Sequence, residues 1–291
     1  MKVAGFTIVR NAVKYDYPVL ESIRSILPLC DVFYIGLGQS EDQTAQLLSQ
    51  LQSPKIRIFD SVWDDRLREG GQVLAVETNK VFREIPEEYD WAFYLQADEV
   101  VHERFHPAIR QSMLDYVGDK SVEGLLFKYR HFYGSYDFIA ESPKWYRHEI
   151  RIIRNDKRIF SYRDAQGFRM HPNQKLRVKP IDAEIYHYGW VKDPRTMQEK
   201  YVDFQKLWHD DRWIEENISR KPTFQYEDHI ERLSRFDGSH PLVMQKRIAR
   251  LNWSFEGHPE FDNLSFKNRI RDFVERYTGY RLWEYKNYEI I

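Results

Sequence analysis

A single cysteine, Cys30, stands among 291 residues. It has no partner for an internal disulfide, which points to a reducing compartment. Long apolar runs are missing too: none approaches the ~18 residues that a membrane span requires. The first apolar run, in MKVAGFTIVRN, stops at Arg10. It is shorter than a secretory h-region and no small-residue cleavage site follows, so a cytoplasmic protein is expected. There is no excess of either charge, with 44 Lys and Arg against 45 Asp and Glu. That balance argues against nucleic acid as a partner. Internal repeats and low-complexity linkers are also lacking.

Aromatic side chains are abundant, at 15% of the chain. Most are expected in the core, and some could offer flat faces to a sugar ring. The first hundred residues alternate in pattern. Apolar strand-like runs fall at 3–9, 32–35, 55–59 and 91–95. Helical patterns intervene at 17–27, at 40–52 from a capping box of Ser40 with Gln43, and at 71–83. Another follows at 107–117. Such alternation predicts βαβ units and a mostly parallel sheet flanked by helices, an α/β fold. Ligands of open α/β sheets bind beyond the carboxyl ends of the strands. Here those ends carry Arg10-Asn11, residues 36–42, residues 60–63 and residues 96–99. Two further strands are expected at 124–132 and 149–153, an extended segment at 183–190, and a helix at 194–209. Beyond Asp210 the pattern is mainly helical, clearest at 241–255 and 264–277. The expected division is a catalytic domain over 1–210 and a helical C-terminal extension over 211–291.

Two metal-binding patterns meet in YLQADEVVHERFHP. His102-Glu103-Arg104-Phe105-His106 has the H-E-x-x-H spacing of zinc proteases, which needs both imidazoles on one helix. Pro107 disfavours α conformation at His106 and prefers the first turn of a helix. His106 is therefore expected outside, or capping, a helix that begins at Pro107, and zinc is set aside. Asp98-Glu99 lies just past the apolar run WAFYL. Its carboxylates could meet Mg²⁺ or Mn²⁺ together with substrate phosphates; an acidic loop capping a helix is the alternative.

These segments, in this order, resemble a family 2 glycosyltransferase of the nucleotide-sugar-binding GT-A (Rossmann-like) fold. FTIVRNAVKYDYPVLESIRSIL matches the opening strand, polar step and helix. LGQSEDQT, through Ser40, Asp42 and Thr44, is similar to the segment after the second strand. QADE stands where the family has a D-x-D step. The resemblance covers about a third of the chain, more loosely reaching HEIRIIRN and IYHYGWVKDP. It departs at Gln96, in place of the first aspartate, and at Leu37, where an acidic residue often contacts the base.

The resemblance implies an inverting transfer from a nucleotide-diphosphate sugar to a glycan or lipid-linked acceptor, as in polysaccharide biosynthesis. Arg10, Asn11, Ser40, Asp42 and Asp98 would bind the donor. Asp98, Glu99 and His187 would hold Mn²⁺ or Mg²⁺. Asp164, or else Glu149, would be the general base that deprotonates the acceptor. Arg68, just before a helix start, is a further phosphate-binding candidate. Residues 147–180 carry ten Lys and Arg against three acids. That concentration suits a diphosphate, an anionic acceptor or the inner face of a membrane. The competing reading is a catalytically weak or inactive scaffold that keeps a nucleotide or glycan pocket. A nucleotidyltransferase shares the sheet and metal logic, but no glycine-rich phosphate loop follows the first strand.

Overall fold

The computed structural model describes residues 1–67, 69–218, 221–255, 257–258 and 262–291. Strand β1 (Val3–Val9) and strand β4 (Trp91–Tyr94) are buried along their whole length. That is the signature of strands covered on both faces. β1 pairs in parallel with β4 on one side and with β2 (Val32–Gly38) on the other, and β2 pairs in parallel with β3 (Ile56–Ser61). Helices α1 (Val19–Ile26), α2 (Thr44–Leu48) and α3 (Gln72–Glu84) make the crossovers. The βαβ half expected from the first hundred residues is therefore present.

Two boundaries differ from expectation. Helix α2 begins at Thr44 rather than at a Ser40 cap, and ends at Leu48. The Ser40 hydroxyl is used elsewhere, donating to the Gly38 carbonyl and accepting from the Asn11 N–H. With its oxygen committed to the β1–β2 loops, no capping box forms. Helix α4 (His106–Tyr116) starts one residue early. A 3₁₀ turn over Glu103–Phe105 feeds into it and holds His106 in helical conformation despite the following proline.

Past the short strand β5 (Glu99–Val101), the sheet continues with antiparallel partners. β4 pairs with β8 (His148–Arg154), which pairs with β6 (Gly124–Tyr133). β6 then lies parallel to β11 (Gln174–Trp190), a strand of 17 residues. The main order is β3-β2-β1-β4-β8-β6-β11, and β10 (Gly167–Met170) and β9 (Ile159–Tyr162) extend it beyond β11. β5 folds back antiparallel onto β11, pairing Glu99 with His187. This last pairing matters most for function. It brings the end of the fourth strand against the end of a strand almost ninety residues later.

After β11, Asp193 caps helix α5 (Pro194–Gln205) by accepting from the Arg195 N–H, with Pro194 in the first turn. Two short helices follow, α6 (Asp211–Asn217) and α7 (Gln245–Ile248), so the helix expected over 241–255 is only one 3₁₀ turn and one α turn. Helix α8 (Phe266–Thr278) is capped by Ser265 and closed by Gly279 in left-handed conformation. Short strands also occur here. β12 (Leu233–Arg235) pairs with β7 (Phe138–Ala140), and β13 (Tyr288–Ile290) joins β11. Two apolar clusters sandwich the parallel half of the sheet. One includes Ile23, Phe33 and Phe93 on the α1 side, the other Phe6, Val81 and Tyr94 on the α3 side.

Candidate functional site

A cleft of about 550 Å³ opens where β1 and β4 end, with α5 as its far wall. Arg10, Asn11, Gln96, Asp98, Asp164 and His187 all line it. The sheet therefore brings together residues separated by up to 177 positions in the chain, at the edge where ligands of α/β sheets bind.

Asp98 sits on the cleft floor. Its Oδ2 accepts from Lys200 Nζ at 3.2 Å, and its Oδ1 lies 3.7 Å from His187 Nε2. Burial opposes its ionisation, yet the charge of Lys200, which also donates to it, outweighs that cost and holds the carboxyl well below the usual range. Lys200, on α5, also donates to the Gly189 carbonyl at 2.9 Å. Gly189 is a requirement of the site, because a Cβ there would meet His187 Nε2 at 2.6 Å and Asp98 Oδ2 at 2.8 Å.

His187 is held from behind by a residue the sequence did not single out, His131 on β6. The two Nδ1 atoms are 3.1 Å apart, and His131 Nε2 is 2.8 Å from the Tyr146 carbonyl. A carbonyl only accepts, so His131 carries its proton on Nε2. Burial, followed by the neighbouring His187, pushes the His131 imidazolium down to about 3, so the ring is neutral and its Nδ1 accepts. His187 must then donate from Nδ1, which leaves its Nε2 as a lone pair. Burial lowers His187 as well. A lone pair and a carboxylate oxygen thus face each other across 3.7 Å. A cation seated between them would be held by both.

This donor set fits a hard divalent ion, with one imidazole nitrogen and one carboxylate oxygen from the protein. The second ring nitrogen is fixed by a hydrogen bond, as is usual for metal-ligating histidines. Among the described residues no three His, Cys, Asp or Glu side chains converge on a metal position. The remaining ligands would have to come from phosphates and water. Glu99, expected as a third ligand, is not one. It is fully buried, chelated by Arg151 Nε and Nη2 at 2.7 Å each, and accepts from Tyr129 Oη and the Gln96 N–H. Both its oxygens are spent inside the sheet.

Other sequence expectations divide in the same way. Arg10 lines the cleft, with Nη1 2.6 Å from Asp65 Oδ1 and its guanidinium over the Trp63 ring. Trp63 fits there because Gly38 has no Cβ, which would come within 2.5 Å of the indole nitrogen. Asn11 adopts positive φ and its side-chain oxygen accepts from the Glu41 N–H. Ser40 and Asp42 do not line the cleft. Asp42 accepts from the Lys14 and Thr44 N–H groups and from the Thr44 hydroxyl. Both residues brace loops rather than reach a ligand. Arg68 lies outside the described residues.

Asp164 is half-buried on the cleft wall, and burial raises its carboxyl against opposing backbone hydrogen bonds. Glu149 is fully buried and does not line the cleft, so it has no path to an acceptor hydroxyl. The basic stretch 147–180 is spent largely on the fold. Arg147 pairs with Glu275 and Glu284, Arg151 with Glu99, and Arg154 donates to four backbone carbonyls. Conversely, Lys14, Tyr15, Lys200, Asp203 and Lys206 enter the cleft without having been anticipated. Lys14 and Tyr15 both contact Asp203 Oδ2, tying the first loop to α5. The H-E-x-x-H histidines diverge: His102 Nε2 meets Ser239 Oγ and His106 Nε2 meets the Ser25 carbonyl.

No family model and no curated protein matches the chain. Similar solved structures include S. aureus TarS 1–349 in complex with UDP, at 13% identity and a TM-score of 0.37. That match covers 69% of this chain and 64% of that one; against another TarS structure the chain spans 38% of the length. Glucosyl-3-phosphoglycerate synthase from Mycobacterium tuberculosis, in complex with Mn²⁺, UDP and glucosyl-3-phosphoglycerate, matches at 13% identity and 0.30. It covers 46% of this chain and 45% of that one. A 4-diphosphocytidyl-2C-methyl-D-erythritol synthase matches at 11% identity and 0.33, covering 53% and 75%. These similarities are distant, and the functional reading rests on the cleft itself.

Proposed function

We propose that the chain is a glycosyltransferase of GT-A type, using a nucleotide-diphosphate sugar and transferring with inversion to a glycan or lipid-linked acceptor. One observation carries this reading. A two-ligand cation position, Asp98 with His187, shares a cleft with a separate carboxyl of raised pKa, Asp164. Phosphates complete such a cation's shell, and a poised carboxyl suits abstraction of a hydroxyl proton.

In this reading Arg10, Asn11 and Trp63 line the nucleotide side, at the ends of β1 and β3. Asp98 and His187 would hold Mn²⁺ or Mg²⁺, which when bound stabilises charge on a diphosphate leaving group. His131 keeps the His187 lone pair directed at the cleft. Lys200 holds Asp98 ionised and lies within reach of an anionic donor. Asp164 takes the acceptor proton, its raised pKa bringing it nearer to neutral pH.

The test is a melting and calorimetric survey of UDP-, GDP- and dTDP-sugars with and without Mn²⁺. At least one donor should bind more tightly with metal, and Asp98→Ala should lose that enhancement while remaining folded. Absence of any donor effect would remove the transferase reading. Tight binding without transfer or slow hydrolysis, over many acceptors, would replace it with a binding scaffold.

A further inference from the structure

Helix α8 is docked inside out. Its acidic side faces the body of the protein: Asp272 Oδ1 lies 2.7 Å from Arg232 Nη1, and Glu275 Oε1 lies 2.8 Å from Arg147 Nη1. Arg281 closes on Glu275 Oε2 at 2.6 Å. None of the helix residues is fully buried. Its apolar residues recur at helical spacing, Phe266, Ile270, Phe273 and Tyr277, and they are 41–81% exposed. Tyr280 and Trp283 extend the surface after the helix ends and are similarly exposed. An amphipathic helix of a water-soluble domain normally buries that stripe. Here ion pairs anchor the polar side and the aromatic stripe faces solvent.

The exposed charges that the helix itself sets beside the stripe are basic, with one exposed acid, Asp262, near Arg269. The helix acids are turned inward and matched by arginine. Lys267 and Arg269 are exposed on the outward side, Lys267 with its ammonium 5.5 Å from the Trp283 ring centre and Arg269 only 3.9 Å from its nearest carboxylate, Asp262. Aromatic residues with a basic flank, on a helix of low overall hydropathy, suit the boundary between lipid headgroups and acyl chains. Anionic lipid would add attraction to the exposed cations. No helix among the described residues is long and apolar enough to cross a membrane, so the contact would be peripheral.

The location also fits. The Arg163 guanidinium lies 5.9 Å from the Tyr285 ring, just beyond the stripe, and the next residue, Asp164, lines the cleft. We infer that the exposed face of α8 and the segment to Trp283 is a docking surface for an anionic lipid bilayer, holding the cleft mouth close to the membrane plane. This inference does not depend on the reaction proposed above, since it concerns a surface and its measurement involves no turnover.

Vesicle flotation tests it with the intact chain. The protein should float with vesicles of phosphatidylcholine mixed with phosphatidylglycerol, and less with phosphatidylcholine alone. Phe273→Asp combined with Tyr277→Asp should cut partitioning by about tenfold or more. Both residues are exposed, so circular dichroism and melting should be unchanged. Lys267→Glu should cost about fivefold on the anionic vesicles only. No flotation with either vesicle would overturn the inference, as would flotation that survives the two aspartates. Equal binding to neutral vesicles would overturn the role given to charge. A dimer in analytical ultracentrifugation that the aspartates dissolve, without vesicle binding, would assign the face to a second copy of the chain instead.

Discussion

Asp98 and Glu99 are chain neighbours with similar side chains, yet they end in different chemical settings. Asp98 opens onto the cleft with one oxygen on Lys200 and the other facing a histidine lone pair. Glu99, one residue on, points into the sheet and is chelated by a fully buried arginine. A turn explains the split: Asp98 sits in the turn after β4, closed by Glu99 N–H to the Gln96 carbonyl, while Glu99 begins β5 and pairs into the sheet. One carboxylate is kept ionised and accessible, and the other is used as an internal brace. Charge alone therefore did not mark the ligand; its place in the turn between β4 and β5 did.

The comparison breaks most sharply at Glu99. Glu99→Ala leaves Arg151 charged and buried without its partner, and removing one member of such a pair costs about 3–5 kcal/mol. A shift of that size in the urea midpoint is expected. A change confined to metal affinity would instead put Glu99 in the site. Glu149 sharpens the buried side of the comparison, because it is an acid with one buried oxygen lacking a hydrogen-bond partner. Burial pushes its carboxyl up to about 8, so the folded state keeps a proton that the unfolded chain has already released. Stability should accordingly fall as pH rises from the usual glutamate range toward 8, and level off above it. Glu149→Gln should remove that slope and leave the variant more stable than the wild type at pH 8. A wild-type stability flat across this window would contradict the assignment.

The smallest effect concerns the open side. His131→Phe removes the acceptor that fixes the His187 tautomer. Loss of such an outer partner typically weakens metal binding by about 10–100-fold. Mn²⁺ titration followed by electron paramagnetic resonance reads this without any turnover. His131→Asn, which offers an acceptor oxygen in a similar position, should recover part of the affinity. Unchanged binding in both variants would leave His131 with a role in packing alone.

Much of the first half of the fold is visible in the sequence because its signals are local. Apolar runs such as VAGFTIV and WAFY, separated by helical patterns, define β1, β4 and their crossovers. Asp98 and His187 are legible through their places beside strand ends. Lys200 is not, since it sits within an ordinary helix and matters only because β11 and α5 turn it back over Asp98. His131 lies in the alternating strand GLLFKYRHFY, and its role depends on pairing with a residue 56 positions later. The arginines of 147–180 misled for a related reason. A count of charges cannot show whether they face solvent or the carboxylates and carbonyls of the fold. Local turn chemistry misled at Ser40, where a hydroxyl that reads as a helix cap serves a tertiary contact.

The pairing of β13 with β11 has a consequence for how the chain acquires its structure. Tyr288, Glu289 and Ile290 lie beside Leu176, Arg177 and Val178, at the start of the strand that ends in His187 and Gly189. During synthesis, β11 leaves the ribosome about a hundred residues before this neighbour, at roughly 5–20 residues per second. For several seconds the start of that edge, at Leu176–Val178, lacks the neighbour that β5 supplies further along, and open edges are where nascent chains pair wrongly. Completion of the strand that supports the cleft thus waits on a segment made about a hundred residues later.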